Sequence, residues 1–311
     1  MNPLFTRSDR NPILTAKELP FEAGAVYNPG AIEYEGGVLL LVRVEDRRGF
    51  SSIHVARSED GVSGWDVDPE PLLEYGLPDK RYEELGCEDA RITYIAEDET
   101  YYITYVAYSG AGSAVGLART RDFAEVERIG LIFSPANKDC VMFPRKMGDY
   151  YRVLHRPAAG DIEHIWSARS PDLIHWGMPH CILVERGGPW WDGVKVGAGA
   201  PPVLTDEGWL LIYHGVKMFG GNMVYRAGLA LLDREEPHKV LARTPGWVFG
   251  PEAPYEVSGV MPNVVFPTGC LLRGDELWVY YGAADTSVCL ARAKLGDALA
   301  AATQHEAAPG D

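Results

Sequence analysis

Apolar positions along the chain fall into two kinds of short run that alternate. The first kind is rich in aromatic and branched side chains and occupies residues 39–43, 101–105, 151–155, 209–213 and 277–281. Tyr101-Tyr102-Ile103-Thr104-Tyr105 and Trp209-Leu210-Leu211-Ile212-Tyr213 are representative. The second kind is small and aliphatic, at 54–58, 116–120, 166–170, 228–232 and 289–293, as in Gly116-Leu117-Ala118-Arg119-Thr120. Runs of this length, bounded by Gly, Asp and Pro, predict β-strands. The pair recurs at an interval of roughly 50 to 60 residues, a spacing that marks repeated blades or stacked units. Five copies predict an all-β chain folded as a five-bladed β-propeller. Such a fold gathers the starts of its innermost strands around one axis, so residues distant in sequence can meet in a central pocket.

The 311 residues fit one closed β domain. Within it, residues 1–25 read as an irregular lead-in with Pro3, Pro12 and Pro20, and about 296–311 as a short helix or disordered tail. Longer excursions at about 66–86, 177–200 and 233–262 read as loops over the ends of the tunnel. Net charge is −15, which disfavours nucleic acid and anionic membrane surfaces. No apolar run approaches the roughly 20 residues of a membrane span, and the N-terminus lacks a secretion signal. The cysteines Cys87, Cys140, Cys181, Cys270 and Cys289 are odd in number and scattered. That spacing indicates neither a disulfide framework nor a zinc site, and cytoplasmic residence follows.

Polar chemistry concentrates at strand ends. Glu88, Asp89 and Arg91 open the expected innermost strand of the second repeat. Strand alternation puts Glu88 and Asp89 on opposite faces and Asp89 with Arg91 on one. Asp89 is then either a general acid on the tunnel wall or half of a structural Asp–Arg pair. Basic residues follow in the third and fourth repeats: Lys138, Arg145, Arg156, Lys195 and His214. Clustered cationic donors suit an oxyanion such as phosphate. Among the interleaved aromatics, Trp191 and Tyr225 are the candidates for ligand contact, the remainder reading as core.

These residues resemble glycoside hydrolase family 130, the mannoside phosphorylases, over nearly the whole chain. The resemblance is carried by Asn28-Pro29-Gly30, Arg43-Val44-Glu45-Asp46, Gly86-Cys87-Glu88-Asp89-Ala90-Arg91, His155-Arg156-Pro157, Lys195-Val196-Gly197-Ala198-Gly199, Tyr213-His214-Gly215, Pro262-Asn263-Val264-Val265-Phe266 and Tyr281-Gly282-Ala283-Ala284-Asp285. Ala90 departs from the pattern, which has proline between the acid and the arginine. The resemblance implies Asp89 as general acid, acting through a substrate hydroxyl. It implies Arg156, Lys195 and His214 as phosphate ligands with Tyr225 nearby, and either Lys138 or Arg145 as a further one. Asn28, Arg43 and Asp285 would line the sugar subsite. The implied reaction is inverting phosphorolysis of a β-1,4- or β-1,2-mannoside to α-mannose 1-phosphate and a free acceptor sugar. Inorganic phosphate is the co-substrate, with no cofactor or metal, and a homo-oligomer is compatible with the family.

Three rivals make different demands. A β-mannosidase on the same scaffold needs a carboxylate base for water, for which Glu185, Glu252 and Glu256 are candidates. Arabinanases and fructan hydrolases need three carboxylates and leave the basic cluster without a role. A sugar-binding propeller would repeat its binding residues from blade to blade. Here the repeated residues are structural and the polar ones differ.

Overall fold

The structure is a computed structural model that describes residues 4–158, 160 and 163–304. It is all-β, with antiparallel meanders joined in four hydrogen-bonded sheets. The largest of these consists of two four-stranded meanders that meet at the single parallel pair Ser51 and Gly86. Each aromatic-rich run pairs with the small-residue run that follows it. Tyr101 lies opposite Thr120, Tyr151 opposite Ser170, Trp209 opposite Leu232 and Leu277 opposite Ala293. These strands are buried on both faces, which is why their sequences are continuous apolar runs rather than alternating ones. Leu39 and Leu41 pack with the second meander, while Leu40 and Val42 pack with the last.

Side-chain size is set by this packing. Tyr105 lies across Gly116 of the neighbouring strand, and a methyl group there would run into the tyrosine ring. Five hydrophobic clusters fill the spaces between consecutive meanders. The last joins Leu271, Tyr280 and Leu290 of the final sheet to Val26, Leu40 and Val42 of the first. Among the described residues no helix is long and apolar enough to cross a membrane.

Two expectations about the chain's periphery change. The lead-in is not wholly irregular: Thr6–Arg7 and Leu14–Thr15 pair with the last long strand, Ser287–Lys294. Phe5 is buried against Phe249, and the Arg7 guanidinium donates to the fully buried Glu256 at 2.8 Å. Two-residue pairings carry too little periodicity to be read from sequence. The predicted excursions also contain outer strands, Asp66–Val67, Gly177–Leu183 and Val240–Arg243. Edge strands such as Gly177–Leu183 are mostly exposed, so the apolar signal that marks inner strands is missing there. The tail forms a helix, Leu295–Thr303; residues 1–3 of the lead-in and 305–311 of the tail lie outside the described residues.

Because Phe5 clasps the first residues of the chain to its last sheet, truncating it should loosen the whole molecule. Phe5→Ala should lower stability by about 3–5 kcal/mol, read as a shift of the urea midpoint with an unchanged slope. A change below about 0.5 kcal/mol would show the clasp to be dispensable.

Candidate active site

The first strands of three meanders begin with the same irregularity. Between Tyr27 and Gly30, Glu88 and Arg91, and Lys138 and Val141, the ladder carries one extra residue. In each case a residue at the bulge has left-handed backbone: Asn28 at φ 47°, Asp89 at 51° and Asp139 at 51°. Asn and Asp tolerate this region better than other side-chain-bearing residues. A bulge re-aims side chains and resets the alternation of a strand. The expectation that Glu88 and Asp89 face opposite sides is therefore overturned. Arg43 reaches both carboxylates, at 3.0 Å to Glu88 and 3.2 Å to Asp89. The alternative Asp89–Arg91 side-chain pair does not form either. Arg91 donates instead to the backbone carbonyls of Asp89 (2.8 Å) and Gly199 (3.2 Å).

One half of the site is an acidic group organised by Arg43. Asn28 Nδ2 donates to Asp89 Oδ1 at 2.9 Å, the same oxygen that Arg43 reaches. Arg43 also bonds Ser51, lies 3.6 Å from Glu45 and sits over the Tyr27 ring. Burial opposes its charge, but Asp89 and Glu88 more than compensate and hold the guanidinium firmly protonated. Burial pushes the Glu88 carboxyl up. Asp285, buried and repelled by Asp89, is pushed up to about 6.

The other half is basic and is built around Asp139, which is 1% exposed. Its carboxylate lies 3.1 Å from Arg156, 3.4 Å from Arg91 and 3.5 Å from His214. Arg156 donates towards His214 Nε2 at 3.3 Å, and the His214 ring stacks beside Phe266. Burial drives His214 well below the usual histidine range, so the ring is neutral near pH 7. Gly197 makes the convergence sterically feasible: any side chain there would collide with the His214 ring and the Asp139 carboxylate. Lys195 stands 5.5 Å from the Tyr225 ring centre and 3.9 Å from Glu163, and burial, followed by the charge of Arg156, lowers its pKa. The two halves face one another. Lys138 acts electrostatically on Glu88, Asp139 and Tyr225, and Asp285 acts on Tyr225.

Asn28, Arg43, Asp89, Lys138, Arg156, Lys195, His214, Tyr225 and Asp285 thus come together around one centre. Two predicted residues do not. Arg145 bonds Glu235 at 2.8 Å and packs over Trp209, the first residue of the strand Trp209–Phe219 that carries His214 further along. It belongs to the outer packing, and of the Lys138 and Arg145 alternatives only Lys138 lies at the cluster. Trp191 is 5% exposed, stacks on Tyr213 and donates to the Pro245 carbonyl. Tyr213 and His214 point to opposite faces of their strand, so the sheet separates Trp191 from the cluster. Sequence reasoning passed over Asp139, Glu163 and Phe266. The signal for Asp139 was its place in the first few residues of an inner strand, as with Asn28 and Asp89. Glu163 gave none, since it lies outside any strand. Among the described residues no group of three or more His, Cys, Asp or Glu is arranged to hold a metal ion.

Asp285 yields a pH-dependent test. Its folded value of about 6 exceeds the ordinary 3.8, so the folded state holds this proton more tightly than the unfolded chain does. Its penalty is absent below the unfolded value and grows as pH rises towards 6. Asp285→Asn should therefore be more stable than the parent by about 3 kcal/mol at about pH 8 and nearly equal to it at about pH 3.5. Urea unfolding at the two pH values checks this; equal midpoints at pH 8 would refute it.

Residues 4–302 match the family model for glycoside hydrolase family 130, described as beta-1,4-mannooligosaccharide phosphorylase. The chain is 36% identical to the β-1,2-mannobiose phosphorylase of Listeria innocua, over 96% of each chain. It is 31% identical to the β-1,4-mannooligosaccharide phosphorylase of Ruminococcus albus, over 96% of this chain and 91% of that one. The crystal structure of the Listeria enzyme with β-1,2-mannobiose superimposes with a TM-score of 0.89 at 33% identity, covering 98% of this chain and all of that one. On this evidence the chain belongs to glycoside hydrolase family 130.

Proposed function

We propose that the protein is an inverting β-mannoside phosphorylase, acting on β-1,2- or β-1,4-linked mannosides. The observation that carries this reading is the cationic lobe of Arg156, Lys195 and Arg91, with Lys138 acting on both Glu88 and Asp139, beside the strand that carries Asp89. An inverting hydrolase needs a carboxylate base across the ring from its acid, whereas phosphate arrives as an anionic nucleophile and needs cations there. In this reading a phosphate oxygen attacks C1 as the C1–O bond breaks, giving α-mannose 1-phosphate. Asp89 supplies the proton to the departing oxygen, relayed by a sugar hydroxyl. Asn28 and Arg43 both engage Oδ1 of Asp89, leaving Oδ2 to carry that proton. Arg43 and Asp285 are the sugar-side polar groups, and Tyr225 adjoins the phosphate.

The hydrolase candidates from sequence find other partners. Glu256 and Glu252 pair with Arg7, and Glu185 pairs with His164. Glu163 does lie in the basic lobe, where it is engaged by Arg156 at 3.1 Å and approached by Lys195 at 3.9 Å.

We further read the five meanders as blades of one five-bladed propeller spanning the chain. The five inter-meander clusters and the terminal clasp support it. A cytoplasmic setting is supported by five free cysteines and by a product that retains the energy of the glycosyl bond.

The deciding experiment is incubation with β-1,2- and β-1,4-mannobiose with and without inorganic phosphate. Phosphate-dependent α-mannose 1-phosphate is expected; free mannose formed equally without phosphate would make the protein a mannosidase. Asp89→Asn should lower kcat by roughly 10²- to 10⁴-fold, and near-normal turnover would remove Asp89 from the acid role. Lys195→Ala should raise the KM for phosphate about 10- to 100-fold, the loss of one charge-assisted hydrogen bond, and leave the KM for mannoside within about threefold. Equal rises in both would make Lys195 structural.

A further inference from the structure

Among the described residues, Glu163 is the one carboxylate of the basic lobe that is not sealed beneath it. Its side chain is 21% exposed, against 3% for Arg156 and 0% for Asp139. Arg156 Nη2 is 3.1 Å from each carboxylate, so the guanidinium is sandwiched between a buried anion and one on the open side. The position is fixed rather than incidental. The Glu163 carbonyl accepts from the Val196 amide at 3.1 Å, tying the residue to the strand that carries Lys195. An oxyanion bound by Arg156 and Lys195 must therefore lie beside the Glu163 carboxylate. For an anion without a proton that contact is repulsive. For an anion carrying an O–H it is a charge-assisted hydrogen bond.

We propose that Glu163 makes this cradle selective for a protonated oxyanion, accepting a hydrogen bond from the P–OH of inorganic phosphate and excluding fully ionised anions such as sulfate. The proposal rests on the phosphorylase reading and assigns Glu163 the role of a specificity-determining residue. Near neutral pH inorganic phosphate keeps at least one proton and sulfate keeps none, while size and tetrahedral shape are nearly the same. Glu163 takes no proton in the reaction; it accepts a hydrogen bond and leaves the remaining phosphate oxygens to the cations and to C1. Discrimination of this kind follows the general rule that an acceptor held against another acceptor in a bound complex is penalised.

The test is steady-state phosphorolysis of the mannobiose that the protein accepts, with sulfate as competitor against phosphate. The readout is the ratio of the sulfate inhibition constant to the phosphate KM. In the parent this ratio should be large, about 100 or more, and in Glu163→Gln it should fall at least roughly tenfold, because an amide can donate to sulfate. Glu163→Ala, which removes the carboxylate without adding a donor, should move the ratio in the same direction by less. A ratio unchanged in both variants overturns the proposal. If both constants fall together, Glu163 is a competing internal anion rather than a selector, and the proposal also fails. Sulfate competing with the parent as well as phosphate binds would end it outright. These outcomes all presuppose phosphate-dependent turnover by the parent, whose absence would instead remove the phosphorylase reading and the proposal with it.

Discussion

The structure depends on one packing constraint: the middle strands of every meander are buried on both faces. Neighbouring residues such as Leu39 and Leu40 serve different inter-meander clusters, so each strand is half of two cores. This forces continuous apolar runs in place of alternation, and it forces size matching between partners. A large ring on one strand, Tyr105 or Tyr213, takes a glycine, Gly116 or Gly228, opposite it. Beside the final cluster, the first and last parts of the chain also share a sheet through Thr6–Arg7 and Ser287–Lys294. Stability and site geometry are consequently coupled, since the inner strands that carry the chemistry are held from both sides.

On that rigid base the site exploits a local departure from regular structure. Asn28, Asp89 and Asp139 occupy equivalent bulges with left-handed backbone, a conformation that costs free energy and persists only where surroundings enforce it. The three bulges share a geometry and have divergent roles. One carries the Asp89 carboxylate, one supplies a neutral donor to it, and one supplies the buried anion that gathers the cations. Arg91 ties the second to the third by bonding the Asp89 carbonyl and approaching the Asp139 carboxylate.

Electrostatics explain how a chain of net charge −15 can present a cationic lobe. Positive charge is local and is anchored by negative charge beneath it. Asp139, held well below the usual carboxylate range by Arg156 and Arg91 despite its burial, keeps those groups convergent. His214 contributes as a neutral ring, so the cationic character of the lobe comes from arginine and lysine alone.

The sequence by itself determined the strands and the repeat, because burial on both faces leaves a composition signal in every run from 39–43 to 289–293. It also singled out Asp89, Arg156, Lys195 and His214, which the fold brings together, since they stand in motifs. Tertiary structure alone decided what alternation could not. A bulge turned Glu88 and Asp89 onto one arginine, where a regular strand would have parted them. Sheet faces separated Trp191 from His214, and strand length carried Arg145 away to Glu235. Glu163 entered through a contact between a connecting segment and Arg156. Such contacts join residues far apart or irregularly placed, and local periodicity, which repeats over two residues in a strand, holds no record of them.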